Sequence, residues 1–190
     1  MKQILGSFDL PTISILVTVI LASAGWLVTH RTNHNLARRK EKLELINKRL
    51  DDFYGPLYVS TKAGGIAYSA LLKKLGRTDD IFAEGRKPTE QELSEWFIWM
   101  KNVFMPLNVI RERLIVDNAY LIREPEMPQC LLDFVTHVVG YCAILAKWEK
   151  GDLSEHYSII EFPPELDEYA ARSYSELKKE QARLIGLTQK

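Results

Sequence analysis

The stretch Leu10-Pro11-Thr12-Ile13-Ser14-Ile15-Leu16-Val17-Thr18-Val19-Ile20-Leu21-Ala22-Ser23-Ala24-Gly25-Trp26-Leu27-Val28-Thr29 carries no ionisable side chain and is dominated by aliphatic residues. Its length, at about 1.5 Å rise per residue, matches a hydrocarbon core of about 30 Å. A core helix of a soluble protein rarely lacks a polar face over so many turns. A cleaved signal peptide would have a shorter apolar core, a start more basic than Lys2 followed by Asp9, and a cleavage site. The segment therefore predicts a transmembrane helix over residues 10–29, with residues 1–9 as a short extracytoplasmic N-terminus.

The flanks predict its direction. Only Lys2, the terminal amine and Asp9 precede it, whereas Arg31, Arg38, Arg39, Lys40, Lys42, Lys48 and Arg49 follow, against Glu41 and Glu44. Positive charge stays on the cytoplasmic side, so a single-pass protein of the inner (plasma) membrane is expected, its N-terminus outside and its C-terminal domain in the cytosol. Trp26 falls near the inner end, where an indole favours the interface. Ser14, Thr18, Ala22, Gly25 and Thr29 recur at steps of three and four, on one helical face. Small residues in that pattern let helices approach closely, and hydroxyls can bond across the contact. The stripe is a candidate self-association face, or the mildly polar wall of a pore built from several copies; the bland alternative is hydroxyls tolerated against lipid.

Residues 30–75 read as a basic juxtamembrane amphipathic helix. Leu36, Leu43, Leu50 and Leu57 repeat at sevens, and Ile46 and Phe53 occupy companion positions three residues after two of them. This is an a/d seam of roughly three heptads, weakened near the membrane by Arg39 at a d position. A coiled coil between copies and the first helix of an intramolecular bundle require the same stripe, and the bundle is the expected form. Arg31, Arg38, Arg39, Lys40 and Lys42 are candidates for contact with anionic lipid, each contributing about 1 kcal/mol close to the surface. Membrane topology accounts for this charge, so nucleic acid is not expected as a partner. Gly55-Pro56 predicts a kink or a break with restart, and Gly64-Gly65 a close approach of another backbone.

Residues 76–190 complete the fold. A polar loop runs from Gly76 to Pro88, and Thr89 with Glu92 forms a capping box. Behind it Leu93, Trp96, Phe97, Met100, Val103, Phe104, Leu107, Ile110 and Leu114 mark a long amphipathic helix with a kink expected at Pro106. A further helix from Pro128 to Gly151 is expected to bury Leu131, Leu132, Phe134, Val135, Val138, Val139, Cys142, Leu145 and Trp148. Asp133, His137 and Lys147 favour a central bundle helix there over a second span. The last helix opens at Pro163-Pro164, turns Leu166, Tyr169, Ala170, Ser173, Leu177 and Leu184 inward, and ends at Gly186. The predicted fold class is all-α: the anchor followed by a cytosolic bundle of about four helices.

The 190 residues suit one compact domain plus an anchor, and 25 acidic against 25 basic residues give no global field that would recruit nucleic acid. Cys130 and Cys142 lie in an apolar helical pattern and read as buried free thiols. Asp133 and His137 stand at i, i+4 with Cys130 a turn before, a trio that could ligate metal but more often is a histidine oriented by an aspartate. His156, in Ser154-Glu155-His156-Tyr157, sits in a loop. Asp133, His137 and His156 form the only polar candidate site, and His30 and His34 read as interfacial polarity. Phosphate loops, CxxC pairs, nucleophile elbows and the Arg-to-His spacing of small helical ribonucleases do not occur. No catalytic, metal or cofactor-binding residue is expected.

The Phe53-Tyr54-Gly55-Pro56-Leu57-Tyr58 block and the segment from Ser154-Glu155-His156 to Phe162-Pro163, joined to one span and a basic helix, resemble bacterial single-span membrane proteins with helical cytosolic domains. The architecture is similar to the membrane-anchored accessory proteins of type VI-B CRISPR systems. That resemblance implies a homo-oligomeric pore in phage defence and brings no catalytic residue. The leading expectation is thus a non-enzymatic bitopic protein that self-associates, its bundle binding a cytosolic protein partner or gating. The alternatives are a membrane-tethered nuclease-like enzyme and a simple tether.

Overall fold

The computed structural model describes residues 10–186, with side chains from Ser14 onward, so the expected extracytoplasmic segment 1–9 lies outside the described residues. The described chain is all-helical and has no strand. Six α-helices follow one another: α1 Leu10–Arg49, α2 Gly55–Lys74, α3 Glu90–Trp99, α4 Met105–Asp117, α5 Gln129–Glu149 and α6 Glu165–Ile185. Single π-helical turns, Leu50–Tyr54 and Met100–Phe104, join α1 to α2 and α3 to α4, so the elements read as four long helices. The chain divides into two compact units, one ending at Leu45 and the other beginning at Ile46. Among the described residues two helices are long and apolar enough, by length and composition, to cross a membrane: the one beginning in the N-terminal apolar segment and α5.

Both π turns have the same cause. Pro56 has no N–H for the carbonyl four residues back, and its ring would collide with that carbonyl in a regular helix. The wider turn removes the collision: Gly55 N–H donates to Leu50 O, five residues back. Met105 N–H donates likewise to Met100 O, one residue before Pro106. At each proline the helix absorbs one extra residue and continues, so Gly55-Pro56 does not break it.

That extra residue rotates whatever follows. Continuing the apolar periodicity of α3 past Pro106 predicts Leu107, Ile110 and Leu114 inward. The buried positions are each one further on, at Asn108, Arg111 and Ile115, while Ile110 is 57% exposed. The first π turn similarly brings the neighbours Phe53 and Tyr54 into the core together.

The core of the second unit is built from Ile46, Leu50, Phe53, Tyr54 and Leu57 against Trp96, Met100 and Phe104, with Leu131, Phe134 and Val138 of α5 and Leu166, Tyr169 and Leu177 of α6. Caps match the sequence. Thr89 Oγ1 accepts from Glu92 N–H while Thr89 N–H donates to the Glu92 carboxylate, and Gly186 ends α6 with φ 79°. The inward face of α5 needs correction: it is Leu131, Phe134, His137, Val138, Tyr141 and Ile144, with Leu132, Val139 and Cys142 exposed. Between Asp133 near its start and Lys147 at its end α5 carries no charge, so its phase is weakly specified, and packing chose a stripe holding a histidine and a tyrosine. Both cysteines are free, but Cys130 is half-buried and Cys142 exposed, against the expectation of two buried thiols.

Candidate functional site

The predicted helix-association residues Ser14, Thr18, Ala22, Gly25 and Thr29 all lie within α1 and are all exposed. Thr18 Oγ1 donates to Ser14 O at 2.8 Å, so this hydroxyl is satisfied inside its own helix. A Cβ at Gly25 would meet nothing within 4 Å. Aliphatic neighbours along the segment, Ile15, Ile20, Leu21 and Val28, are each about two-thirds exposed. Trp26 stacks on His30 with ring centroids 5.2 Å apart, and His34 follows at 6.5 Å from His30. Arg31, Arg38, Arg39, Lys40 and Lys42 are exposed, and Lys40 reaches Glu44 at 3.8 Å.

The heptad seam divides along its length. Leu36 is exposed and Leu43 half-buried, whereas Ile46, Leu50, Phe53 and Leu57 are core residues. From Ile46 onward the seam is used inside the chain, as the bundle reading requires.

Asp133 and His137 do not face each other, which corrects the expected pairing. Asp133 Oδ1 accepts from Gln129 Nε2 at 2.8 Å. His137 is buried, and its Nδ1 lies 2.7 Å from Ile160 O, a geometry that places the proton on Nδ1. Its ring packs edge-on against Tyr141 and Phe162, with centroids 5.1 and 5.5 Å away. Burial holds the His137 pKa below its ordinary value, hydrogen bonding to the Ile160 and Glu161 carbonyls opposes this, and the Arg111 charge adds to it. The imidazole is therefore neutral at pH 7.

His156 is held differently from His137. Its carbonyl accepts from Trp96 Nε1 at 2.7 Å, its ring tilts against Phe97, and its Nδ1 is buried without a partner. Together with Trp148 Nε1 donating to Glu155 O at 2.7 Å and His137 at Ile160 O, this makes 151–164 a strap held by ring N–H donors on its backbone carbonyls. Gly140 lets the strap lie close, since a Cβ there would come within 2.5 Å of Ser158 Oγ.

Periodicity missed Arg111. It is 3% exposed, its Nε donates to Leu107 O at 3.3 Å, and its guanidinium lies over the Phe134 ring at 5.2 Å and the Phe162 ring at 6.0 Å. It forms no ion pair among the described residues, and burial lowers its pKa to about 10. Gly64 of α2 makes the room: a Cβ there would stand 2.9 Å from Arg111 Nη2. The close approach expected at Gly64-Gly65 is thus by a side chain, and Gly65 faces open space. Proline at 106, read as a one-residue phase shift, was the available signal for Arg111.

A second buried arginine is resolved differently. Arg77 Nε donates to Glu92 Oε1 at 2.6 Å, and Arg77 with the Thr89 backbone holds the Glu92 carboxyl down at about 2. That ion pair ties the 76–88 loop to the capping box of α3.

No protein-family model matches this chain, and neither a curated protein nor a solved structure matches it.

Proposed function

We propose that this protein is a non-enzymatic, single-pass inner-membrane protein whose 10–29 segment spans the bilayer with the N-terminus outside. In this reading the helical domain lies in the cytosol and acts as a partner-binding or gating module, and copies associate along the Ser14, Thr18, Ala22, Gly25 and Thr29 face. One observation carries it. From Ser14 to Thr29 every side chain is exposed and none is charged, a surface that water disfavours and hydrocarbon accepts.

Aliphatic residues at the centre of a span each favour insertion by about 0.3–0.6 kcal/mol, so the segment's sum outweighs its few hydroxyls. The basic run from Arg31 to Lys42 supports the inside orientation and a contact with anionic headgroups. Pore formation in defence is the most specific form, resting on the architectural resemblance.

The particle mass in a mild detergent at micromolar protein tests the association. Multiples of the 21.9 kDa chain are expected; a monomer retires self-association while leaving the anchor intact. Protease added to inverted inner-membrane vesicles should digest the helical domain, and protection there would reverse the orientation.

A further inference from the structure

We infer that the Arg111 guanidinium, the Thr61 hydroxyl and the His137 imidazole form a binding site for a small oxyanion of the phosphate class, at the junction of α2, α4 and α5.

The first observation is an unbalanced charge. Arg111 has five N–H donors, and only Nε has a protein acceptor among the described residues. Its Nη1 and Nη2 have none there, and no carboxylate among the described residues pairs with it. A buried cation is ordinarily paired, as Arg77 is with Glu92 in this same unit. The aromatic rings of Phe134 and Phe162 receive the guanidinium, but they accept no N–H in its plane.

The second observation is independent. Thr61 is 5% exposed, and its Oγ1 is buried with no partner. Elsewhere in the helices the hydroxyls of Thr18, Ser69 and Thr136 return to the carbonyl four residues back; that of Thr61 does not. Thr61 lies one turn before Gly64 on the buried face of α2, the glycine against which Arg111 Nη2 rests.

His137 completes the set. Its ring packs against Phe162, over which the Arg111 guanidinium also lies, and with Nδ1 donating to Ile160 O the neutral ring offers its second nitrogen as an acceptor for a protonated oxyanion. A guanidinium and a hydroxyl as donors, with an accepting imidazole beside them and no acid among them, match the groups that recognise a protonated tetrahedral oxyanion. A ligand there would join three helices, and Phe162 places the strap over it. This inference stands independently of membrane insertion.

The test uses the full chain in a maltoside detergent, titrated with sodium phosphate against sodium chloride at constant ionic strength. Phosphate should raise the unfolding temperature of the wild type beyond any chloride effect. Arg111→Met should weaken phosphate binding by about tenfold or more, the loss of a charge-assisted contact. Thr61→Val removes a hydroxyl with no protein partner, so it should fold like the wild type yet bind phosphate several-fold more weakly.

A wild type indifferent to phosphate overturns the inference, and so does a response unchanged in Arg111→Met. Should Arg111→Met fail to fold, an unchanged response in Thr61→Val overturns it alone. Glycerol 3-phosphate titrated in parallel separates the sources: binding equal to or tighter than inorganic phosphate assigns a phosphomonoester, and weaker binding assigns a free oxyanion.

Discussion

The segment Ser14–Thr29 of α1 and the stretch Phe134–Ala146 of α5 are alike in sequence and opposite in circumstance. Each runs over several turns without Asp, Glu, Lys or Arg. In the first apolar window no residue is buried, and in α5 a third are. The difference lies in polar handles. α5 carries His137 and Tyr141 on its inward stripe, and His137 reaches a carbonyl of the strap. The hydroxyl of Thr18 bonds back into its own helix. A charge-free helix is therefore not by itself a span; what counts is whether its polar atoms point at protein or only at their own backbone.

Substitutions can break this comparison. Phe134 is fully buried, so Phe134→Ala should destabilise the helical domain by about 3–5 kcal/mol in denaturant unfolding. Ile20→Ala should leave that midpoint unmoved. A lysine placed in each helix sharpens the contrast. Ile20→Lys sits mid-segment and should cost about 2.5–3.5 kcal/mol of insertion, read as protein released from membranes by carbonate. Val139→Lys, on the exposed face of α5, should change stability by no more than about 0.5 kcal/mol and leave membrane attachment unchanged. Loss of attachment in Val139→Lys would show that α5 meets lipid.

The smallest effect is one of pH. Because burial holds the His137 pKa below 6.5, the unfolded chain takes up this proton first as pH falls, and stability drops through the window just below 6.5. His137→Gln keeps a donor for Ile160 O without titrating. Its unfolding temperature should fall less than that of the wild type between pH 7 and 5.5; equal slopes would remove His137 from the account.

Legibility followed chemistry that acts over short range. The capping box at Thr89 and Glu92, the stop at Gly186 and the inward face of α6 at Leu166, Tyr169, Ala170, Ser173 and Leu177 were all readable. α6 is readable because its outward face is charged, so only one phase buries it without cost. α5 offers little such contrast between Asp133 and Lys147, and its hydropathy alone turns Leu132, Val139 and Cys142 inward though they are exposed. Ahead of α4 the periodicity is sound through Phe104, and one inserted residue carries Arg111 to the place expected of Ile110.

The sequence by itself determined where helices begin and end, which segment carries no charge, and where positive charge gathers, since propensity, capping and hydropathy are properties of neighbours along the chain. Tertiary structure alone decided that Ile46 to Leu57 pack within the chain, that His137 binds the strap instead of Asp133, and that Arg111 lies buried beside Gly64. Those outcomes depend on the rotation of one helix against another. A π turn changes that rotation by a single residue, and its partners are distant in sequence.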